Sequence, residues 1–175
     1  PAKREITIRD LLTHTSGIDY PAIGSESMAA LYAKSDIPSG LDAKGKTLGT
    51  EIKRLGSLPL LHQPGEKFTY GLNTDVLGYL VEVISGMSLS DFFAKRIFEP
   101  LGMKDSYFYL PSSKYSRLAT LYTEDSLHHL VKAPESSNGI RLNYPNTNGT
   151  YFSGGGGLSS TMYDYAIFMQ MFLNG

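Results

Sequence analysis

The chain has 175 residues, a hydrophobic content of 41%, a charged content of 19% and a formal net charge of -1. We therefore expect residues 1–175 to form a single globular domain, with no electrostatic reason for nucleic acid or an anionic membrane as partner. The absence of cysteine excludes disulfides, thiolate metal sites and cysteine nucleophiles.

The N-terminal third predicts short helices separated by turns. Thr7, with Asp10 three residues later, is typical of a helix N-cap, and the Ser-Gly turn at Gly17 ends that helix. The further predicted elements are a weakly helical segment over 26–34, a loop over 35–46 and a helix capped by Thr47 that runs through Leu55.

The clearest helix of the chain is "TDVLGYLVEVIS", residues 74–85, followed by Gly86 at the position where helices often turn left-handed. A second helix, "LSDFFAKRIF", follows a cap at Ser88 or Ser90 and is ended by Pro100 and Gly102. The predicted apolar face of the first helix consists of Val76, Leu77, Leu80, Val81 and Ile84.

From residue 103 to about 152 the pattern favours short strands and turns. The candidate strands are residues 107–109, 117–122 and 127–131, and residues 134–150 are predicted as a long surface loop. A last helix begins after Ser160 or Thr161, with Met162, Tyr165, Ala166, Met169 and Phe172 on one face. The predicted fold class is therefore mainly α with a few short β-strands.

Familiar ligand motifs are missing from the sequence. The glycine run "SGGGGLS" (153–159) has no lysine and is interpreted as a structural loop rather than a phosphate cradle. The adjacent His128 and His129 would point to opposite faces of a strand, and His14 and His62 lack metal-ligand spacing. We expect no metal and no cofactor.

The segment His14-Thr15-Ser16 places a histidine close to a serine. Neighbours this close in sequence rarely reach the geometry of a catalytic pair, in which base and nucleophile meet across the fold. The favoured interpretation is that Thr15 and Ser16 close the helix end and satisfy backbone groups there.

Tyr70 lies between the Pro64-Gly65 turn and the helix predicted from residue 74. From local sequence it is either a core aromatic with a bonded hydroxyl or a phenol available for proton transfer. Proton transfer requires a neighbouring cation to lower the pKa of a phenol, and Lys67 is a poor candidate because lysines near surface turns are common.

Three segments together resemble the serine β-lactamase and penicillin-binding-protein-like superfamily, closest to its class C and esterase branch. They are "ITIRDLLTHTSGI" (6–18), the stretch 64–108 that begins "PGEKFTYGLNTDVLGYL", and "SGGGGLSSTMYDYAIFMQMFLNG" (153–175). The strings "LLTHTSG" and "IFEPLGMKDSYF" carry most of the specificity, and the order and spacing cover nearly the whole chain.

The resemblance implies acyl transfer through an acyl-serine, whose nucleophile lies in an S-x-x-K motif. It implies that Tyr70 is the tyrosine of a Y-x-N motif and shares a proton relay with that lysine. Position 72 is Leu72, and the asparagine falls one place later, at Asn73. Asn73 is accordingly a candidate substrate-binding residue, with the cap of the following helix as an equally weighted alternative.

No lysine of the sequence has a serine three residues before it, and neither K-T-G nor H-x-G occurs. The resemblance therefore implies that this is the helical middle region of a β-lactamase/transpeptidase-like fold, truncated at both ends and inactive when isolated. We expect the parent protein to act on a small-molecule or peptide substrate. The alternative is a non-catalytic ligand-binding pseudoenzyme module.

Further expectations concern partners and location. If this is the middle region of a larger fold, its separation from the partner domain should expose apolar surface, through which a dimer is possible. The chain contains no apolar run of the ~18 residues that a transmembrane segment requires. The family resemblance points to the bacterial periplasm or cell envelope, although the sequence itself leaves the location unknown.

Overall fold

The computed structural model describes residues 2–41, 43, 45–137 and 140–175. Its helices confirm the predicted fold class, since most of the regular structure is α and the strands are short. The α-helices are α1 Ile8–Leu12, α2 Glu26–Lys34, α3 Leu48–Leu55, α4 Asn73–Ser85, α5 Leu89–Phe93, α6 Glu99–Leu101 and α7 Met162–Asn174. The strands are β1 Tyr122–Glu124, β2 Leu130–Lys132, β3 Ser136–Ser137 and β4 Ile140–Arg141.

Hydroxyl caps begin several of these helices, as the sequence predicts. Thr7 Oγ1 accepts a hydrogen bond from the backbone N–H of Asp10 at 3.2 Å, and the Asp10 carboxylate accepts one from the Thr7 N–H at 2.8 Å. Thr47 caps α3 in the same reciprocal way. The sequence offers Ser88 or Ser90 as the cap of one helix and Ser160 or Thr161 as the cap of another. In the structure Ser88 caps α5 and Thr161 caps α7. Each cap satisfies a backbone donor that the helix itself leaves unpaired.

Helix α4 is the centre of the fold and packs against α1, α3 and α5. Val76 and Leu77 lie against one buried cluster, while Val81 lies against a second. Ile84, predicted on the apolar face, is 75% exposed, because the core covers only the first turns on that side. Gly86 ends α4 with a φ of 69°, as predicted. The first cluster is formed by Leu11, Ile18, Met28, Tyr32, Ile37, Leu55 and Leu72, and the second by Ala43, Leu48, Leu89, Phe108 and Tyr151.

The second predicted helix is correct in position but not in regularity. Between α5 and α6 the chain forms a π-helical turn over Ala94–Phe98, which periodicity does not reveal. Pro100 lies inside α6 instead of ending the helix, at one of its first positions, where a missing backbone N–H is tolerated. Gly102, with a φ of 71°, is the residue that ends it.

The predicted strands are only partly correct. Residues 107–109 form a single bridge from Tyr107 to Ser159, and much of 117–122 precedes the strand that begins at Tyr122. Strands β1 and β2 pair antiparallel, and His128, at φ 63°, lies in the turn between them. The predicted loops 35–46 and 134–150 include positions 42, 44, 138 and 139, which lie outside the described residues.

Helix α7 leaves most of its predicted apolar face exposed, including Met162 at 92%. The helix is held instead by Asp164, whose carboxylate accepts hydrogen bonds from the Asp105 N–H at 2.7 Å and the Ser106 hydroxyl at 2.9 Å. The exposed apolar residues agree with the reasoning behind the expected dimer, which stays a prediction.

Candidate active site

Tyr70 lies on the surface, where the segment after the Pro64-Gly65 turn leads into α4. Its side chain is 47% exposed, so the core-aromatic interpretation does not describe it. Within the described residues its hydroxyl makes no hydrogen bond, whereas the Tyr20 hydroxyl donates to Ser39 O and the Tyr109 hydroxyl to Tyr151 O. The phenol of Tyr70 is thus available to an incoming group.

Two aromatic rings stack with the phenol ring of Tyr70. The His14 ring stacks on Tyr70 with centroids 4.9 Å apart and an interplanar angle of 22°. The Tyr20 ring stacks at 5.8 Å and 21°. We call these three residues the aromatic stack. Stacked aromatic pairs contribute about 0.5–1.5 kcal/mol beyond the area they bury, so the stack restricts the orientation of the phenol.

Backbone hydrogen bonds join the turn that contains His14 to the segment that contains Tyr70. His14 O accepts from Thr69 N at 2.7 Å, and Thr15 O accepts from Gly65 N at 2.8 Å. Gly71 lets the chains approach closely, since a Cβ at this position would lie 2.1 Å from Ile18 O. The turn "HTSG" and the segment around Tyr70 therefore form one unit, although they are more than fifty residues apart in sequence.

The side chain of Asn73 is fully buried at the start of α4. Its Oδ1 accepts a hydrogen bond from Ser16 Oγ at 2.5 Å, and its Nδ2 lies 3.0 Å from His14 Nδ1. The cap alternative is wrong, because Leu72 occupies the N-cap and no side chain caps that end. The substrate-binding role of Asn73 stays a prediction. Ser16 also accepts from the Ile18 N–H at 3.0 Å, which fits the interpretation that it satisfies nearby backbone.

The charge states of the stack follow from these contacts. An amide nitrogen can only donate, so His14 Nδ1 accepts from Asn73 Nδ2 and the proton of the neutral ring is on Nε2. Burial lowers the pKa of His14, which favours the same neutral form. Burial, together with the charge of Asp75, raises the pKa of Tyr20 to about 12, so Tyr20 stays protonated and serves as scaffold. Lys67 is exposed and makes no described contact with Tyr70.

A buried carboxylate lies behind the stack. Asp75, in the first turn of α4, is covered by the glycine run that follows Ser153. Burial raises the pKa of Asp75 to about 6, partly offset by the polar groups of Ser153 and the Gly154 backbone. Its Oδ1 is buried with no hydrogen-bond partner among the described residues. The glycine run packs closely against Asp75 and the start of α4, since a Cβ on Gly154 would lie 2.3 Å from Thr74 O. This agrees with its interpretation as a structural loop.

The histidines give no metal site in the part of the chain that the structure describes, where no cluster of three or more metal-ligating side chains occurs. His62 Nε2 is 2.9 Å from Thr69 Oγ1, and His129 pairs with Asp125 at 3.4 Å. His128 contacts Glu124 in the β1–β2 hairpin.

The sequence singles out Tyr70 as a candidate, and that role stays a prediction; it gives no indication of the residues that Tyr70 contacts. His14 is in the specific string "LLTHTSG", yet the string alone gives no reason for a histidine there. Tyr20 and Asp75 carry no local signal, because their contacts join segments far apart in the chain. For Asp75, a carboxylate at a helix N-terminus is ordinary, and only the fold shows that this one is buried.

The helical fold and the exposed tyrosine before α4 agree with the serine β-lactamase and penicillin-binding-protein class that the sequence resembles. The chain belongs to the beta-lactamase family, whose model matches residues 1–175. It is 36% identical over 176 residues to "Protein Rv1367c" of Mycobacterium tuberculosis, covering 99% of this chain and 40% of that protein. It is 37% identical over 117 residues to "Esterase EstB" of Burkholderia gladioli, covering 67% of this chain and 29% of that protein.

The solved structure of EstCE1, described as a hydrolase with promiscuous acyltransferase activity, superposes with a TM-score of 0.80 at 27% identity. The match covers 95% of this chain and 45% of EstCE1. The chain therefore spans less than half the length of these relatives.

No single helix among the described residues has the length and hydropathy of a membrane span. Residues Asn73–Ser85 and Leu89–Leu101 meet that test only as a pair, by length and composition, and the pair is bent by 77°.

Proposed function

We propose that a protein carrying this chain is a serine hydrolase that cleaves an ester or amide through an acyl-serine, with Tyr70 as a proton-transfer residue. The observation that carries this proposal is the Tyr70 phenol, which is exposed, without a hydrogen bond among the described residues, and stacked with two aromatic rings. Family membership supports the reaction class.

In the proposed reaction a serine oxygen attacks the carbonyl carbon, and the alcohol or amine leaves with a proton. Tyr70 and a lysine transfer the proton from the serine to the leaving group. Water then attacks the acyl-serine and releases the acid. The sequence contains no S-x-x-K. The proposal therefore assigns the serine and the lysine to other residues of the parent protein and predicts that the 175 residues alone are inactive.

Among the substrate classes, we favour esters over β-lactams. The family's Y-x-N motif offers an amide two residues after the tyrosine, but Leu72 stands there and is buried at 1% exposure. This chain therefore offers no amide at that position for a lactam side chain. The names of two relatives, an esterase and a hydrolase with acyltransferase activity, agree with this preference.

The test compares the full-length parent protein, its Tyr70→Phe variant and the isolated chain on a p-nitrophenyl acyl ester, nitrocefin and a D-Ala-D-Ala peptide. Turnover of the ester and an acyl adduct in the mass spectrum of the parent protein are the expected results. The isolated chain should show neither. If the isolated chain turned over any of these substrates faster than its own Tyr70→Phe variant, the proposal that the isolated chain is inactive would be contradicted.

The second candidate is a non-catalytic module that uses the surface around Tyr70 to hold a ligand. It is favoured if the parent protein lacks S-x-x-K upstream and K-T-G or H-x-G downstream of this region. In that case the parent protein would bind an ester without forming the acyl adduct. Export to the bacterial envelope remains a proposal drawn from the family alone.

A further inference from the structure

His14 is held against Tyr70 by an unusual backbone conformation and by specific hydrogen bonds. The two rings are nearly parallel at 4.9 Å, and the His14 backbone, at φ 53°, adopts the left-handed region that non-glycine residues seldom occupy. Such backbone strain is retained where surrounding contacts fix it. Here the fixing contacts are Asn73 Nδ2 at 3.0 Å and the Gly71 N–H at 3.4 Å, both directed at His14 Nδ1.

These two donors set both the plane and the tautomer of the imidazole. The backbone N–H of Gly71 can only donate, so His14 Nδ1 is an acceptor and Asn73 Nδ2 is the amide atom that faces it. Asn73 Oδ1 then accepts from Ser16 Oγ inside the fold. The chain of contacts runs from Ser16 through Asn73 to His14 and ends on the face of Tyr70. Each link except the last is a hydrogen bond, and the last is the stack.

The geometry points to His14 as a positioning residue for Tyr70, which holds the phenol in its reactive orientation only while the imidazole is neutral. This inference rests on the proposed function, because it assigns a role to His14 in the proton transfer by Tyr70. His14 does not itself exchange a proton with the substrate.

Protonation of His14 would place an N–H where two donors already converge, so the ring would have to leave its place on Tyr70. The groups around the ring do not offset that charge. Helix α1 contributes Asp10, whose carboxylate is already engaged by Arg4 and Thr7. The segment before α4 contributes Phe68 and Tyr70, and α4 contributes Asn73. Among the described residues Tyr70 is the only titratable side chain in ring contact with His14.

The test measures kcat, KM and pH–rate profiles of the full-length parent protein with a p-nitrophenyl acyl ester. His14→Gln removes the ring, and His14→Phe keeps a ring but cannot be protonated. We expect kcat of His14→Gln to fall roughly tenfold to a hundredfold with KM little changed, as for a misplaced catalytic group. His14→Phe should retain more of kcat and lose the acid limb of the profile. His129→Gln, in the exposed hairpin, is the matched control.

Two outcomes overturn the inference. In one, both His14 variants keep wild-type kcat and the wild-type acid limb; in the other, they lose activity equally and only in proportion to lost folded protein. Should neither variant fold, ¹⁵N NMR of the wild-type imidazole decides the question. An Nε2–H tautomer whose protonation follows the acid limb supports the inference, and an Nδ1–H tautomer overturns it.

The Tyr70→Phe variant separates this inference from the proposed function. If Tyr70→Phe keeps wild-type activity, the proposed function fails and the role of His14 fails with it. If Tyr70→Phe is impaired while the His14 variants behave as wild type, only the role of His14 fails.

Discussion

Ser16 and Asn73 are joined by a buried hydrogen bond, with Ser16 Oγ 2.5 Å from Asn73 Oδ1, although 57 positions separate them in the sequence. Both side chains are completely shielded from solvent. The bond links the turn after α1, which contains His14, to the first residue of α4, and Tyr70 lies three residues before that helix.

We expect Ser16→Ala and Asn73→Ala each to lower the free energy of unfolding by about 1–3 kcal/mol, because each leaves a buried polar partner unpaired. The double variant should lose less than the sum, since the two residues share one bond. Urea denaturation measures both effects. Ser27→Ala, at an exposed position of α2, is the control and should change stability by no more than about 0.5 kcal/mol. Additive losses would show that the two side chains act independently.

Gly71→Ala should destabilise the protein by about 1–3 kcal/mol, because the new Cβ would overlap a backbone oxygen. That oxygen, Ile18 O, lies 2.1 Å from the Cβ position and cannot move without displacing the turn after α1. Gly56→Ala is the matched control, since its Cβ would meet its nearest atom at 3.5 Å on a right-handed backbone. Equal melting temperatures for the two variants would refute the close approach at Gly71.

The buried Asp75 predicts stability that falls as pH rises. Its pKa is raised from 3.8 to about 6 in the folded state, so the folded protein binds the proton more tightly than the unfolded chain. The favourable contribution is complete below about pH 4 and is lost as pH rises through about 6, a difference on the order of 3 kcal/mol. Asp75→Asn should remove this dependence. Parallel stability–pH curves for Asp75→Asn and wild type between these values would contradict it.

Asp10 predicts the opposite pH dependence. The Arg4 guanidinium, 2.7 Å away, and the Thr7 N–H hold the pKa of Asp10 well below its usual range. Its stabilising contribution is therefore present above the unfolded pKa and is lost as pH falls through the folded one. Asp10→Asn should lower the melting temperature at neutral pH, and the difference from wild type should shrink in acid. A difference that grows on acidification would rule out this role for the carboxylate.

The local elements of this fold follow from the sequence because their signals are local. Thr7, Thr47 and Gly86 are recognisable from the few residues around each, and the structure places all three at helix ends. The π-helical turn over Ala94–Phe98 and the exposure of Ile84 depend on what packs against each helix, which periodicity does not report.

In the candidate site, too, the sequence suggests some residues, while the contacts between distant segments appear only in the structure. The family resemblance singles out Tyr70 as a candidate, because the residues that suggest it are close together in the sequence. His14 and Tyr20 meet Tyr70 only after the turn following α1 packs against the start of α4. No spacing rule within one segment predicts that contact. Asn73 is a candidate substrate contact from the sequence, one place after the motif position, whereas in the structure its amide is bonded inside the fold.

The central claim, that Tyr70 transfers a proton in acyl transfer, is tested most directly by single-turnover acylation of the full-length parent protein with a p-nitrophenyl acyl ester. Tyr122→Phe, at an exposed tyrosine of β1, is the matched control. We predict that Tyr70→Phe lowers the acylation rate constant by about 10²–10⁴-fold while the control is unchanged. Acylation of Tyr70→Phe at the wild-type rate would contradict the account.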